Sequence, residues 1–265
     1  MSESSQVFPA LLKYWRRRRG LSQLDLALTA EVSARHVSFL ETGRSKPSEG
    51  MVLLLGSVLD VPLREQNVML REAGFAPHFP EPALDALGDP GVQHALDAML
   101  QHHAPFPMFV LDRAYNVLRM NTPARCMIES ALGNVPVPLN VANAFFGPDG
   151  FKASIENWEA VAKSFIGRLH REVLQAPNDA RLSGLLEEVL GYPDIPEAWR
   201  TPDLTTGSES ALTVRVQASG EILTFVVAMM AFHAPQNVTL EEIQIEAYFP
   251  GDAQTAALCA HVFGG

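Results

Sequence analysis

The chain has 265 residues and a formal net charge of −10, and 47% of its residues are hydrophobic. This length favours two domains, and the apolar content suffices for sizeable cores. No apolar run is long enough to span a bilayer and no signal-peptide pattern opens the chain, so we expect a cytoplasmic protein without a membrane partner. Cys126 and Cys259 lack the spacing of a metal site and are expected to be buried thiols in a reducing compartment.

The charge is unevenly distributed along the chain. Residues 1–78 carry 10 basic and 8 acidic side chains, whereas residues 79–265 carry 10 basic and 22 acidic ones. A strongly acidic body repels DNA, which leaves the N-terminal segment as the plausible contact surface for nucleic acid.

The first predicted helix covers residues 8–18 and turns Leu11, Leu12 and Trp15 toward a core. A basic run, Arg16–Arg19, follows in its last turn, where positive charge is favourable. These arginines could lie near phosphates, or they could form a solvated helix end.

Two short helices follow. Ser22 is a good N-cap and Asp25 completes a capping-box pattern, which predicts a helix over 23–30 with inward-facing side chains at Leu24, Ala27 and Leu28. Ser33 caps a second helix over 34–42, which ends before a glycine and a proline. Two helices separated by about three residues form a helix-turn-helix.

This segment resembles the lambda-repressor/Cro-like (XRE) DNA-binding family over about residues 8–73. One position departs from the family pattern, because Glu31 occupies the turn position that is commonly glycine; a positive φ there costs on the order of 1 kcal/mol. The match rests on Gly20-Leu21-Ser22-Gln23, Ala27, Val32-Ser33, Val37, Leu40-Glu41, Gly43 and Pro47.

The resemblance implies that the helix after Ser33 is the recognition helix of a DNA-binding module. In that role Arg35 could reach a guanine edge, Ala34 could touch a thymine methyl group, and His36 could face a phosphate. Each of these side chains could instead be an ordinary solvated surface group. The full set of expected DNA contacts is Gln23, Ser33, Ala34, Arg35, His36, Ser38, Arg44 and Lys46.

Helices predicted over 48–60 and 63–73 complete a five-helix domain, residues 1–74. A Pro-rich stretch, residues 75–91, is expected to be a stiff linker. The second domain is expected to span residues 92–265, beginning with a helix over 92–103.

The second domain is predicted to be an α+β fold with an antiparallel sheet. A strand (108–111), a turn, a returning strand (116–120) and a helix capped by Asn121 resemble the opening of a PAS domain. Long helices are predicted at 151–175 and 179–190, an alternating strand at 212–216, a central strand at 222–232 and a final helix at 252–262. A capping-box-like pair, Thr239 and Glu242, is set aside in favour of the alternating strand at 243–249.

The order of these segments resembles the MmyB-like regulators over nearly the whole chain. The resemblance rests on the N-terminal module, the Pro-rich joint, the PAS-like opening, Asn157-Trp158, the Pro193–Trp199 segment and three terminal strands. It implies a transcription regulator with a PAS-like ligand-binding domain, and an association with fatty-acid-like ligands.

The second domain is rich in large apolar side chains, most of which must be core. A subset could line a cavity between the sheet and the long helix. Arg168, His170 and Arg171 could meet a ligand carboxylate, or could belong to a solvated face. The candidates for the cavity wall are Phe145, Phe146, Trp158, Phe165, Phe225 and Met229.

No motif for nucleophilic, phosphate-binding or zinc chemistry is present, so we expect no enzyme and no cofactor. His102 and His103 are adjacent and point to different sides of a helix, which disfavours a shared metal. A haem or flavin is disfavoured too, because no histidine is clearly an axial ligand.

We therefore expect a sequence-specific transcription regulator, a homodimer that reads a two-fold symmetric operator in double-stranded DNA. Its second domain is expected to sense a small apolar, fatty-acid-like ligand. The alternative is a ligand-independent regulator whose second domain serves dimerisation or protein docking.

Overall fold

A computed structural model describes residues 7–83, 90–201, 212–218, 220–232 and 237–263. The chain forms two compact units. The first comprises residues 1–81 together with 234–241, and the second comprises residues 82–233 together with 242–265. Within the described ranges, no helix has both the length and the apolar character needed to cross a membrane.

The first unit contains the five predicted helices. Serine side chains cap three of them by accepting a backbone N–H three residues on, and Ser22 and Asp25 form the predicted capping box. Gly74 ends the fifth helix in the left-handed conformation. The helices are α1 (Val7–Arg18), α2 (Gln23–Thr29), α3 (Ala34–Glu41), α4 (Glu49–Val58) and α5 (Leu63–Ala73).

The prediction for the inner face of α2 is confirmed for Ala27 and wrong for Leu24 and Leu28. Leu24 and Leu28 are 58% and 69% exposed, whereas Leu26, Ala27 and Ala30 are buried. Both sets satisfy helical spacing, so periodicity alone could not choose between two neighbouring faces. The buried face packs with α1, α3 and α4 in a core that includes Leu12, Trp15, Val37, Leu40 and Leu55.

The turn between α2 and α3 contains the departure noted in the sequence. Glu31 has a φ of 54°, in the left-handed region that glycine adopts at little cost.

We expect Glu31→Gly to raise the free energy of unfolding by about 0.5–1 kcal/mol, because it relieves this strain. Hydrogen exchange of the α2 and α3 amides, followed in the full chain at increasing urea concentration, measures the change. Glu31→Ala is the control and should not raise the free energy of unfolding. Equal effects of the two substitutions would contradict this explanation.

The second unit is an antiparallel five-stranded sheet with helices. Its strands are β1 (Met108–Leu111), β2 (Val117–Met120), β3 (Leu212–Ala218), β4 (Glu221–Met230) and β5 (Gln244–Pro250), in the spatial order β2-β1-β5-β4-β3. The helices that follow α5 in the chain are α6 (Pro90–His102), α7 (Thr122–Leu132), α8 (Val141–Phe146), α9 (Trp158–Gln175), α10 (Ala180–Gly191), α11 (Val238–Glu242) and α12 (Ala253–Phe263).

The predicted long helix begins later than expected, at Trp158 and not at residue 151. A 3-10 turn occupies Phe151–Ser154, and the next residues pair with β3. The Asn157 side chain donates to the Thr213 carbonyl at 2.8 Å and accepts from the Arg215 amide at 2.9 Å. These sheet-like contacts hold the chain extended until α9 starts.

Two further expectations need correction. The capping-box-like pair Thr239 and Glu242 belongs to a real short helix, α11, that directly precedes β5. The apolar strand β4 is paired on both sides, by β5 and β3, as predicted for a central strand. Burial does not alternate along β5 as predicted: Ile245 and Ala247 are buried, but so are Glu246 and Tyr248 on the opposite face, and Phe249 is 44% exposed.

Candidate functional site

A buried polar group joins three helices of the first unit. Glu41, at the end of α3, accepts from Arg16 Nε at 2.5 Å and Nη2 at 2.9 Å, and from Gln23 Nε2 at 2.7 Å. The side chains of Arg16 and Glu41 are only 10% and 2% exposed. Burial opposes ionisation of Glu41, but the hydrogen bonds from Arg16 and Gln23 and the Arg16 charge hold its pKa below the ordinary value. This group fixes the end of α3 against α1 and α2.

The four arginines at the end of α1 therefore lie in different environments. Arg16 is buried and paired with Glu41, so it does not belong to a solvated helix end. Arg19 donates to the backbone carbonyl of Leu59 at 2.6 Å and also pairs with Asp60. Arg17 and Arg18 are exposed.

The outer face of α3 presents an aromatic ring between two arginines. The guanidinium carbon of Arg35 lies 5.1 Å from the centre of the Phe39 ring, and that of Arg44 lies 6.0 Å from the same ring. Both arginines are exposed, so the ring orients them at the surface without removing them from solvent.

The other expected DNA contacts lie around this group. Ser33 is exposed, and its side chain accepts the His36 amide as the N-cap of α3. Ala34, His36 and Ser38 are half-buried, and Lys46 is exposed. Gln23 is half-buried, and its amide is already engaged with Glu41.

The second unit has an apolar cavity between the sheet and α9. It has a volume of about 60 Å³. Arg168, Glu246 and Tyr248 lie in its wall, together with Ser154 and thirteen apolar residues. The apolar part of the wall includes Phe109, Met127, Ile128, Phe145, Phe165 and Val214.

A second cavity, of about 310 Å³, lies beside the first. Met127, Ala131, Ser154 and Val216 line both, so we call these four residues the neck. The wall of the second cavity also includes Phe225 on β4 and Cys259, Val262 and Phe263 on α12. The two cavities adjoin at these four residues, and the charged side chains Arg168 and Glu246 lie in the wall of the smaller one.

The structure brings some of the predicted cavity residues together and leaves others apart. Phe145 and Phe165 line the first cavity, and Phe225 lines the second. Trp158 stacks on Phe145 with ring centres 5.9 Å apart, and Phe146 packs against Trp158, so both stand behind the wall. Met229 is 38% exposed and lies outside both cavities.

Sequence reasoning missed most of the polar groups near the first cavity. The Tyr115 hydroxyl donates to Glu172, with oxygen distances of 2.9 and 3.0 Å, and the Tyr248 hydroxyl donates to Glu246 Oε1 at 2.7 Å. Tyr115 also has a φ of 65°, an unusual conformation for a bulky side chain. Tyr115 is fully buried, so its conformation is held by the surrounding core and could not be inferred from the sequence.

Arg168 is the one member of the predicted trio of basic residues that faces this cavity. Its guanidinium carbon lies 4.7 Å from the Phe165 ring centre and 5.2 Å from that of Tyr115. His170 is buried and bonds to the Trp199 carbonyl at 2.9 Å, whereas Arg171 is exposed.

Burial and charge shift the pKa values of these groups. Burial would lower the pKa of Arg168, but the surrounding Tyr115, Glu246 and Glu172 raise it overall. Burial raises the pKa of Glu172 despite the opposing Arg168 charge. It also raises the pKa of Tyr248, and the neighbouring Glu246 adds to that shift.

The described residues contain no cluster of histidine, cysteine and carboxylate side chains suited to a metal ion. His103 bonds to the Tyr248 carbonyl at 2.9 Å, and His102 is exposed. Cys259 is buried and Cys126 half-buried; both are free and line the second cavity.

Comparison with known families gives a match for each part of the chain. The family model described as MmyB-like transcription regulator ligand binding domain matches residues 92–261. The model described as Helix-turn-helix matches residues 12–66. No curated protein matches the chain.

Proposed function

Because this chain belongs to the MmyB-like transcription regulators, with a DNA-binding helix-turn-helix domain and a ligand-binding domain, we propose that a small apolar, fatty-acid-like ligand controls its operator binding. The two matches together support a DNA-binding regulator with a ligand-binding C-terminal domain. The nature of the ligand, and its effect on DNA binding, are our proposal.

The exposed face of α3 supports direct reading of DNA bases. Arg35 lies in the first turn of a helix whose opposite face is buried, which is how a recognition helix presents side chains to the major groove. Arg44 and Lys46 follow the helix at the surface, where they suit contacts with phosphates. We propose a homodimer whose two recognition helices, about 34 Å apart, read a two-fold symmetric site.

The observation that carries the ligand proposal is the pair of adjoining apolar cavities. Their walls are mainly apolar with a few polar side chains, which is the usual composition of a small-molecule site; the charged Arg168 and Glu246 line the first cavity, and the uncharged Ser130 and Gln217 line the second. A linear chain with one polar end matches this distribution. A ligand can change operator affinity only if it binds one arrangement of the DNA-binding domains better than another.

An operator-binding titration with and without ligand tests this proposal. Native mass spectrometry of freshly purified protein first identifies any small apolar molecule that accompanies the chain. The protein is then stripped of that molecule, and decanol is added as a defined probe. A change in operator affinity is expected. If decanol binds and operator affinity stays the same, the ligand does not regulate DNA binding; if nothing enters the cavities, a docking role for this domain gains support.

We expect Arg35→Ala to cost about 1–3 kcal/mol of operator binding and to relax selectivity at one base position, because a bidentate contact with a guanine edge is lost. Titration against operators substituted at each position measures both effects. Lys46→Ala is the matched comparison. It should weaken binding evenly across sequences, and it should reduce the magnitude of the slope of the logarithm of the binding constant against the logarithm of the salt concentration by about 1. Unchanged selectivity in Arg35→Ala would remove this residue as a base reader.

A further inference from the structure

The short helix α11 belongs to both compact units. Residues 234–241 group with the first unit, whereas Glu242 and the strand β5 that follows it group with the second. The backbone amide of Val238 donates to the Pro80 carbonyl at 2.9 Å, and Val238 is completely buried. The connection between β4 and β5 therefore contributes part of its length to the DNA-binding unit.

Glu241, the fourth residue of α11, supplies a cap that α5 lacks in its own sequence. Pro62 stands at the N-cap position of α5, and its side chain makes no capping hydrogen bond. Glu241 Oε2 accepts the Leu63 amide at 2.7 Å, so it satisfies one of the backbone donors at the start of α5. The helix dipole also favours a carboxylate at this end of a helix. The contact therefore stabilises the first turn of α5.

Further hydrogen bonds connect the start of α5 with α3. Arg19, directly after α1, donates to the Leu59 carbonyl and pairs with Asp60 in the turn that leads to α5. Arg16, three residues earlier, holds the end of α3 through Glu41. A displacement of the α4–α5 turn would therefore act on the end of α1, and through Arg16 on the position of α3.

Glu242 is held in a buried ion cluster of the second unit. Arg181 Nη2 donates to Glu242 at 3.1 Å and to Asp179 at 3.0 Å. The Arg113 guanidinium lies 3.9 Å from each of these two carboxylates, whose side chains are only 6% and 2% exposed. Because an unpaired buried charge is costly, such carboxylates stay with their partners. The cluster therefore fixes the residue next to Glu241.

We propose that α11 couples the two units, because its adjacent residues Glu241 and Glu242 are bound by different ones. A change in the second unit that moves Glu242 also displaces Glu241 from α5, and the α4–α5 turn is then less firmly held. Ligand binding is one such change, so the regulatory part of this inference rests on the proposed function. The coupling itself requires no ligand and can be tested without one.

A double-mutant cycle, read by hydrogen exchange of the Leu63 amide in the full chain, tests the coupling. Glu241→Ala removes the acceptor and should raise the exchange rate about 5-fold, as expected for the loss of a helix cap. Glu242→Gln changes no residue of the first unit but weakens the ion cluster, and it should raise the rate at least about 3-fold. In the double variant Glu242→Gln should add almost nothing, because the cap through which it acts is already absent.

Glu156→Gln is the matched control, because it neutralises another carboxylate of the second unit that pairs with an arginine, Arg215. It should leave the Leu63 exchange rate unchanged. Arg181→Gln, at a side chain that is 46% exposed, repeats the test if Glu242→Gln does not fold. The proposal is overturned if the second-unit substitution has no effect in the wild-type chain, or has the same effect with and without Glu241.

Operator titrations with and without decanol test the regulatory part. In Glu241→Ala, the change in operator affinity that decanol causes should be at least about 3-fold smaller than in the wild type, whereas Glu156→Gln should respond fully. An equal response of Glu241→Ala and the wild type would overturn the regulatory role of α11. If the wild type does not respond to decanol, the proposed function fails, and the exchange cycle still decides whether α11 couples the units.

Discussion

Replacing Glu41 with glutamine is expected to destabilise the N-terminal domain by about 3–5 kcal/mol. The Arg16 guanidinium would remain buried beside a neutral amide, and the loss of one partner from a buried ion pair leaves the other uncompensated. Hydrogen exchange of the full chain measures the effect, because it reports on α1–α3 separately from the C-terminal domain. Protection of those amides should fall, and operator affinity should fall with it.

Two further variants make this expectation specific. Arg17→Met changes the neighbouring, exposed arginine and should leave protection nearly unchanged. The double variant Arg16→Met, Glu41→Leu replaces both charges with apolar side chains, and it should recover most of the loss because the desolvation cost disappears with the charges. If Glu41→Gln keeps full protection, the ion pair contributes little and α3 is fixed by apolar packing alone.

The N-terminal domain was predictable where its signals are local. Serine caps, the Ser22–Asp25 pair and the glycine and proline after α3 all act within a few residues, and the structure has each of them in its expected place. The role of Arg16 was not predictable in the same way. Its partner is 25 residues away, and nothing in a run of four arginines distinguishes the one that is buried.

The sequence indicated that the second domain contains an apolar cavity, but it could not indicate which residues line that cavity. An excess of aromatic side chains in an α+β domain indicates apolar space, yet the same residues serve as core or as wall. Trp158 and Phe165 share a face of α9 by spacing, but only Phe165 reaches the cavity, because Trp158 stacks on Phe145. The approach of Arg168 to Glu246 depends on how α9 crosses the sheet, which no short-range pattern encodes.

The same limit explains the start of α9. Residues 155–157 continue the apolar periodicity of the helix, which favoured a helix from residue 151. Their backbone and the Asn157 side chain instead bond to β3, a strand more than fifty residues later in the sequence. Long-range pairing with the sheet therefore overrides local helical preference at this point.

Filling the neck between the two cavities is expected to abolish most of the affinity for a long-chain ligand. Ala131 on α7 is half-buried and lines both cavities, so a phenyl ring at this position projects into space that is not filled by protein. If Ala131→Phe excludes about four methylene groups from the second cavity, at about 0.8 kcal/mol each, the loss is about 3 kcal/mol. This corresponds to about a 100-fold weaker binding of decanol.

Isothermal titration with decanol and butanol separates a blocked neck from a damaged domain. Butanol is short enough to occupy the first cavity alone, so its weak binding should persist in Ala131→Phe. Ala257→Phe places the same ring at an exposed position on α12 and should bind both alcohols as the wild type does. In operator titrations, Ala131→Phe should still bind DNA but should no longer respond to decanol. Wild-type affinity for decanol in Ala131→Phe would mean that the alkyl chain does not pass through the neck, and that the two cavities serve separately.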